Sequence, residues 1–149
     1  MKPLWILAIF ASFLTACHAQ TPTQAPKQEH AMHSSVISLS INNQLFDLQL
    51  ENNQTAQSFA NLLPLDLAMN DHLNNEKFAT LPNALPTNDK TAGQIHAGDV
   101  MLYQGDTIVI FYENFDSNYR YTKIGKIRQT DGLKNALGRG TAQVKWGNP

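Results

Sequence analysis

The chain has 149 residues, of which 42% are apolar, 9% aromatic and 15% charged. Lys and Arg total 11 against 12 Asp and Glu, a formal charge of −1 with no basic block, so the electrostatic footprint of a nucleic-acid binder is missing. One cysteine excludes an intrachain disulfide and a structural zinc site built on several thiolates, and the length allows one packed domain.

The first segment reads as an address. Lys2 gives a positive start, and residues 3–16 (PLWILAIFASFLTA) carry no charge. Fourteen helical residues reach about 21 Å, short of the roughly 30 Å hydrocarbon core of a bilayer, so a signal-peptide core fits and a permanent span does not. Leu14-Thr15-Ala16-Cys17 resembles the lipobox of bacterial lipoproteins: an aliphatic residue, two small ones, then cysteine. The resemblance implies that residues 1–17 are a lipoprotein-type signal peptide and that Cys17 becomes the lipidated first residue of the mature chain. Two or three acyl chains give stable anchoring where one gives marginal binding. The implied place is the bacterial cell envelope, facing the periplasm. His18 rather than aspartate after the cysteine points to the outer membrane. Cleavage after Ala19 by ordinary signal peptidase is the alternative.

Residues 18–35 (HAQTPTQAPKQEHAMHSS) have no apolar periodicity and cannot bury enough surface to offset their ordering entropy. They read as a flexible tether. Glu29, His30, Met32 and His33 lie close together in it, but ligands on an unfolded tether must be ordered first, and the expectation is a solvated linker with no metal.

Residues 36–149 form the domain. Positions 36–41 (VISLSI) and 44–50 (QLFDLQL) alternate with period two and are joined by Asn42-Asn43, a hairpin signature. Asn53 caps a predicted helix running to Leu63, with Ala56, Phe59, Ala60 and Leu63 on one face and Pro64 as its stop. Residues 65–69 form a short strand. Residues 70–97, rich in Asn, Asp, Pro and Gly, read as loop, pinned to the core by Phe78 and Leu81. Residues 99–103 and 107–112 make a hairpin around Gln104-Gly105-Asp106. The second of these strands is apolar on both faces, hence central. Residues 121–127 (YTKIGKI) form a further strand whose Gly125 marks a bulge or a close backbone approach. A short helix over 131–137 ends at Gly138, and a strand over 141–146 follows. Many short strands around an apolar centre predict a mainly β fold, a closed β-barrel with two short helices.

The ordered set resembles the cyclophilin-like fold, in particular a bacterial family of small cyclophilin-like proteins. The resemblance is carried by residues 84–88 (ALPTN), 97–103 (AGDVMLY), 108–112 (IVIFY) and 121–127, with 74–78 (NNEKF) and the Asn53 helix in the same order. Likeness to cyclophilins proper is partial. Ile124-Gly125-Lys126-Ile127 with Asp131-Gly132-Leu133 resembles their Phe-Gly-Lys-Val strand and turn, and Ile110-Phe111-Tyr112 stands where they carry paired phenylalanines. Their Phe-His-Arg-Ile strand, whose arginine contacts the substrate, has no counterpart: Arg120, Arg128 and Arg139 sit in no such strand. Speeding prolyl isomerisation needs a positioned donor. The resemblance therefore implies a non-catalytic module that binds a peptide or a small apolar ligand, without cofactor. The alternative is a peptidyl-prolyl isomerase with a non-standard site.

No nucleophile motif, phosphate loop or metal spacing occurs. Asp71-His72 offers a carboxylate and an imidazole, but strand neighbours point to opposite faces. Glu76-Lys77 reads as a solvated turn or as a polar pair at a pocket mouth. Tyr103, Tyr112, Tyr119 and Tyr121 read as barrel wall and rim. If a cleft exists, the residues expected to line it are Met69, Phe78, Phe111, Tyr112 and Tyr121.

Overall fold

The computed structural model describes residues 36–147. The expected signal peptide with Cys17 and the expected tether with its histidines lie outside the described residues. The elements run β1 (Val36–Ile41), β2 (Gln44–Leu50), α1 (Gln54–Ala60), β3 (Leu65–His72), β4 (Glu76–Thr80), β5 (Lys90–Ile95), β6 (Asp99–Tyr103), β7 (Thr107–Phe111), β8 (Phe115–Ile127), α2 (Leu133–Leu137) and β9 (Ala142–Trp146). Neighbours pair in the order β2-β1-β9-β3-β4-β7-β6-β8, and β2 pairs back onto β8. Each of these pairings is antiparallel. The result is mainly β: a closed ring of eight strands, with two helices and the ninth strand, β5, attached to β8.

The alternation read from the sequence decides which side chains enter the ring. Leu39 and Ile41, Val100 and Leu102, Ile108 and Ile110, and Val144 and Trp146 are fully or almost fully buried in one cluster. Phe59 of α1 and Leu133, Ala136 and Leu137 of α2 join the same cluster. The rings of Phe59 and Trp146 meet edge to face at 5.3 Å. The intervening residues of β6 and β7 face the other way. Met101, Val109 and Phe111 pack with Ile95 and Tyr121 in a second cluster, outside the ring. That is why β7 is apolar on both faces: one side fills the ring and the other is roofed from outside.

β8 has thirteen residues and divides its work. Its first half, from Phe115 to Tyr121, pairs with β5; its second half closes the ring against β2 and β6. Gly125 lies at the closure, opposite Leu50 of β2 and Val100 of β6. The register of β6 on β8 slips beside Val100, so this glycine sits next to a bulge. A Cβ there would stand 2.4 Å from the Gln49 carbonyl oxygen, so the close approach that glycine permits is real.

Several boundaries differ from expectation. The Asn42-Asn43 hairpin has both residues at positive φ, as a tight two-residue turn requires. Asn53 caps α1, its Oδ1 accepting from the Ala56 amide at 2.8 Å, and its Nδ2 donates to the Lys123 carbonyl at 2.9 Å. The helix, however, ends at Ala60 rather than Leu63. The amides of Leu62 and Leu63 donate to carbonyls three residues back, a tightened last turn that turns both leucines onto the core.

The largest correction concerns residues 70–97. They are not all loop: β3 continues to His72, and β4 and β5 follow. In β4 the inward positions are Lys77 and Ala79, so the apolar alternation that marks a strand is absent. In β5 four of the six residues are exposed and only Ile95 is buried. For the same reason β8 begins at Phe115 instead of Tyr121, its added turn being mostly polar.

Candidate binding cleft

On the outer side of the ring, between β3, β4, β6, β7 and the first half of β8, lies a cleft of about 750 Å³. Strand period places its walls. In β4, Glu76 and Phe78 point out while Lys77 points in. Tyr103 belongs to the face of β6 that carries Met101, and Val109 and Thr107 to the corresponding face of β7. Tyr121 and Phe115 come from β8.

The aromatic rings form a connected series. Phe115 meets Phe111 at 5.7 Å, Phe111 meets Tyr121 at 5.5 Å edge to face, Tyr121 meets Tyr103 at 5.4 Å, and Tyr103 meets Tyr119 at 6.3 Å. At the opposite wall the His72 ring stands edge to face against Phe78 at 6.2 Å. Such contacts fix ring orientation. Two large apolar side chains stay open to solvent around the cleft: Leu73 is 75% exposed and Tyr119 65%. Among the described residues only Leu45 is a third of that kind, so the cleft margin holds two of three.

The polar groups of the cleft include two carboxylates and no lysine or arginine. Glu76 is half-buried, and its carboxyl is raised above the ordinary carboxylate range by burial; the nearby His72 opposes the shift and Asp71 adds to it. The Oδ1 of Asn75 is buried without a hydrogen-bond partner. Asp116 and Asn118 stand on the β8 side. The Tyr121 phenol is pushed up to about 12, chiefly by burial and then by the Glu76 carboxylate, with a Ser117 hydrogen bond opposing.

Behind this wall the ring interior holds a separate polar group. The fully buried Lys77 ammonium donates to Asp71 Oδ2 and to the Gly140 carbonyl, both at 2.6 Å. The Tyr112 hydroxyl donates to the same Asp71 oxygen at 2.7 Å, and the Asn74 amide donates to Oδ1 at 3.1 Å. The Lys77 ammonium also lies 5.8 Å from the centre of the Tyr112 ring. Burial alone would raise the Asp71 carboxyl, but its donors, Lys77 first, together hold it below its usual value. The Tyr112 phenol is driven upward by burial and by its bond to Asp71.

Of the residues expected to line a cleft, Phe78 and Tyr121 do so. Phe111 is fully buried directly beneath, in contact with Tyr121. Met69 and Tyr112 are elsewhere, packed in the cluster that fills the ring. Tyr112 follows Phe111, and the period of two sends it to the opposite side. Tyr103 and Tyr119, expected as wall and rim, line the cleft, as do Phe115 and Asn75, which composition did not single out. Counting by two from Met101 reaches Tyr103, and counting back by two from Tyr121 reaches Tyr119 and Phe115, a signal masked by the polar residues between them. Asp71 and His72 point apart as expected, one inward to Lys77 and the other into the cleft.

The closed ring with its outer aromatic cleft defines a β-ring domain with a preformed concave surface. The chain belongs to the cyclophilin-like family, whose family model matches residues 39–147. It is similar in structure to a hypothetical protein from Archaeoglobus fulgidus known from a solution structure, with 18% identity and a TM-score of 0.59, over 77% of this chain and 95% of that one. A comparison of the sequence with curated proteins finds no match.

Proposed function

We propose that this is a binding module that takes an apolar group, from a peptide segment or a small molecule, in the outer cleft, and that it does so from the surface of a bacterial envelope membrane. The observation that supports the first part is the exposure of Leu73 and Tyr119 beside a connected series of aromatic rings. Exposed apolar side chains are costly in water unless a ligand covers them. A cleft of this volume is in the usual range for small-ligand sites. The second part rests on the lipobox-like Leu14-Thr15-Ala16-Cys17 and on the uncharged run before it.

The alternative, prolyl isomerisation, calls for a positioned donor at the substrate amide. No arginine or lysine is among the residues lining the cleft. One set of titrations addresses both readings. Amide chemical shifts of the isotopically labelled chain are followed against a panel of short peptides, with and without proline, and against neutral aromatic compounds. Saturable shifts confined to the cleft residues, lost in Tyr121→Ala and Phe78→Ala, are the expected result, with no acceleration of proline isomerisation in the same peptides. Silence at every cleft residue across the panel would end the binding reading; catalysed exchange would replace it with the isomerase.

A further inference from the structure

The cleft is chemically one-sided. Its lining includes the acidic residues Glu76 and Asp116 and also Asn75, whose buried Oδ1 has no hydrogen-bond partner, and includes no Lys or Arg. The basic residue nearest in sequence, Lys77, faces the ring interior and is held there by Asp71 and Gly140. The Glu76 carboxyl has no hydrogen bond and no ion pair within 4 Å among the described residues, although the residue is half-buried. Its neighbour across the strand pair is His72. A half-buried carboxylate and a buried carbonyl oxygen, both without donors, carry a desolvation cost that a donor from outside would offset. An anionic ligand would add to that cost.

The rings supply the second requirement. Tyr103, Tyr121 and Tyr119 meet one another in series, and aromatic faces attract cations. Aromatic faces beside a carboxylate, with no lysine or arginine in the lining to compete for it, are the environment that retains an organic cation on an apolar stem.

We propose that the ligand of this cleft carries an organic cation, a primary ammonium or a guanidinium, joined to an apolar or aromatic stem, with the charge directed to Glu76 and Asn75 and the stem on the tyrosine rings. This rests on the reading of the cleft as a binding site and names the class of ligand it selects. A basic side chain of a peptide and a free aromatic amine share this chemistry.

Three probes of nearly equal size separate charge from shape: 2-phenylethylammonium, neutral 2-phenylethanol and anionic phenylacetate, each titrated into the labelled chain at pH 7. The cation is expected to bind about tenfold more tightly than the alcohol, and phenylacetate more weakly than either. Glu76→Gln should bring the affinity ratio of ammonium to alcohol from about tenfold to about one, and Asp116→Asn, at the exposed margin, should lower that ratio less. Equal affinity for cation and alcohol, or a ratio unmoved by Glu76→Gln, would overturn the assignment of a cation and leave the binding cleft standing. No response at the cleft to any of the three at millimolar concentration would remove both. An arginine- or lysine-containing tripeptide that competes with the ammonium identifies a peptide source; failure to compete, with the ammonium still bound, identifies the free amine.

Discussion

Glu76 and Lys77 are adjacent in β4 and face opposite sides of the ring wall. The ammonium of Lys77 is fully buried inside, 2.6 Å from Asp71, while the Glu76 carboxyl is half-buried in the cleft outside. Opposite charges one residue apart are thus kept from neutralising each other by the pleat of one strand. The wall between them separates a group that holds the fold from a group free to meet a ligand.

The inner pair is expected to be asymmetric under substitution. Asp71→Asn leaves a buried ammonium facing a neutral amide and should cost about 3–5 kcal/mol in denaturant unfolding. Lys77→Met fills the same space with an apolar chain, and Asp71 keeps the Tyr112 hydroxyl and the Asn74 amide. Its cost should stay below about 2 kcal/mol. Equal losses in the two variants would contradict this account.

The two carboxylates should give pH dependences of opposite sign. Asp71 has its folded value lowered, so its stabilisation is complete above the unfolded value of 3.8 and is lost as the pH falls through the folded value. Glu76 has its folded value raised, so its charged form destabilises the fold above that value, and the penalty disappears below the unfolded value of 4.5. Glu76→Gln should therefore melt higher than the parent at pH 7, with the gap closing towards pH 4. Asp71→Asn should flatten the acid limb of the stability curve below about pH 4. Melting curves at matched ionic strength across that range check both.

Phenol ionisation followed by ultraviolet difference absorbance should show Tyr121 titrating only near pH 12, with Tyr112 also above the free-tyrosine value of 10.0. Tyr121→Phe should remove the late component assigned to it.

Gly125→Ala should strike the ring closure. Its Cβ would meet the Gln49 carbonyl oxygen at 2.4 Å and a Leu48 methyl at 2.9 Å, and the first is backbone that cannot rotate away. A loss of about 3 kcal/mol is expected, with faster amide exchange at the β2–β8 junction.

Cys17→Ser should remove the lipid attachment point. In a bacterial host that processes lipoproteins, the parent chain should fractionate with membranes and incorporate labelled fatty acid, and the variant should do neither. Labelled variant, or unlabelled parent, would refute the lipobox reading.

Where alternation was apolar, it could be read residue by residue. The β1–β2 hairpin, the β6–β7 hairpin and β9 fall within a residue of their expected limits, and the Asn53 cap is where its side chain requires. The closed form and the two helices followed from the same patterns. What stayed hidden was polar. Lys77 occupies an inward position where a hydrophobic residue would have announced β4, and its partner is six residues away across a turn. β5 and the start of β8 pair with each other on the outside of the ring, where neither needs an apolar stripe. The cleft is bounded by that same outer layer, so Phe115 was missed with it and Tyr119 was expected as wall or rim and not named for the cleft. Phe78 and Tyr121 were legible by residue type, as large aromatics expected to line a cleft, although Phe78 was read in a loop. Met69 and Tyr112 followed hydrophobicity into the interior instead.

The attachment of β5 has an evolutionary implication. Every strand of the ring pairs with a ring strand on each side, whereas β5 pairs with β8 alone. Lengthening, shortening or recolouring β5 and the arm of β8 beside it leaves the cylinder's own seams untouched. A lineage can thus retune which molecules this surface admits by editing an appendage, without renegotiating the scaffold that carries it.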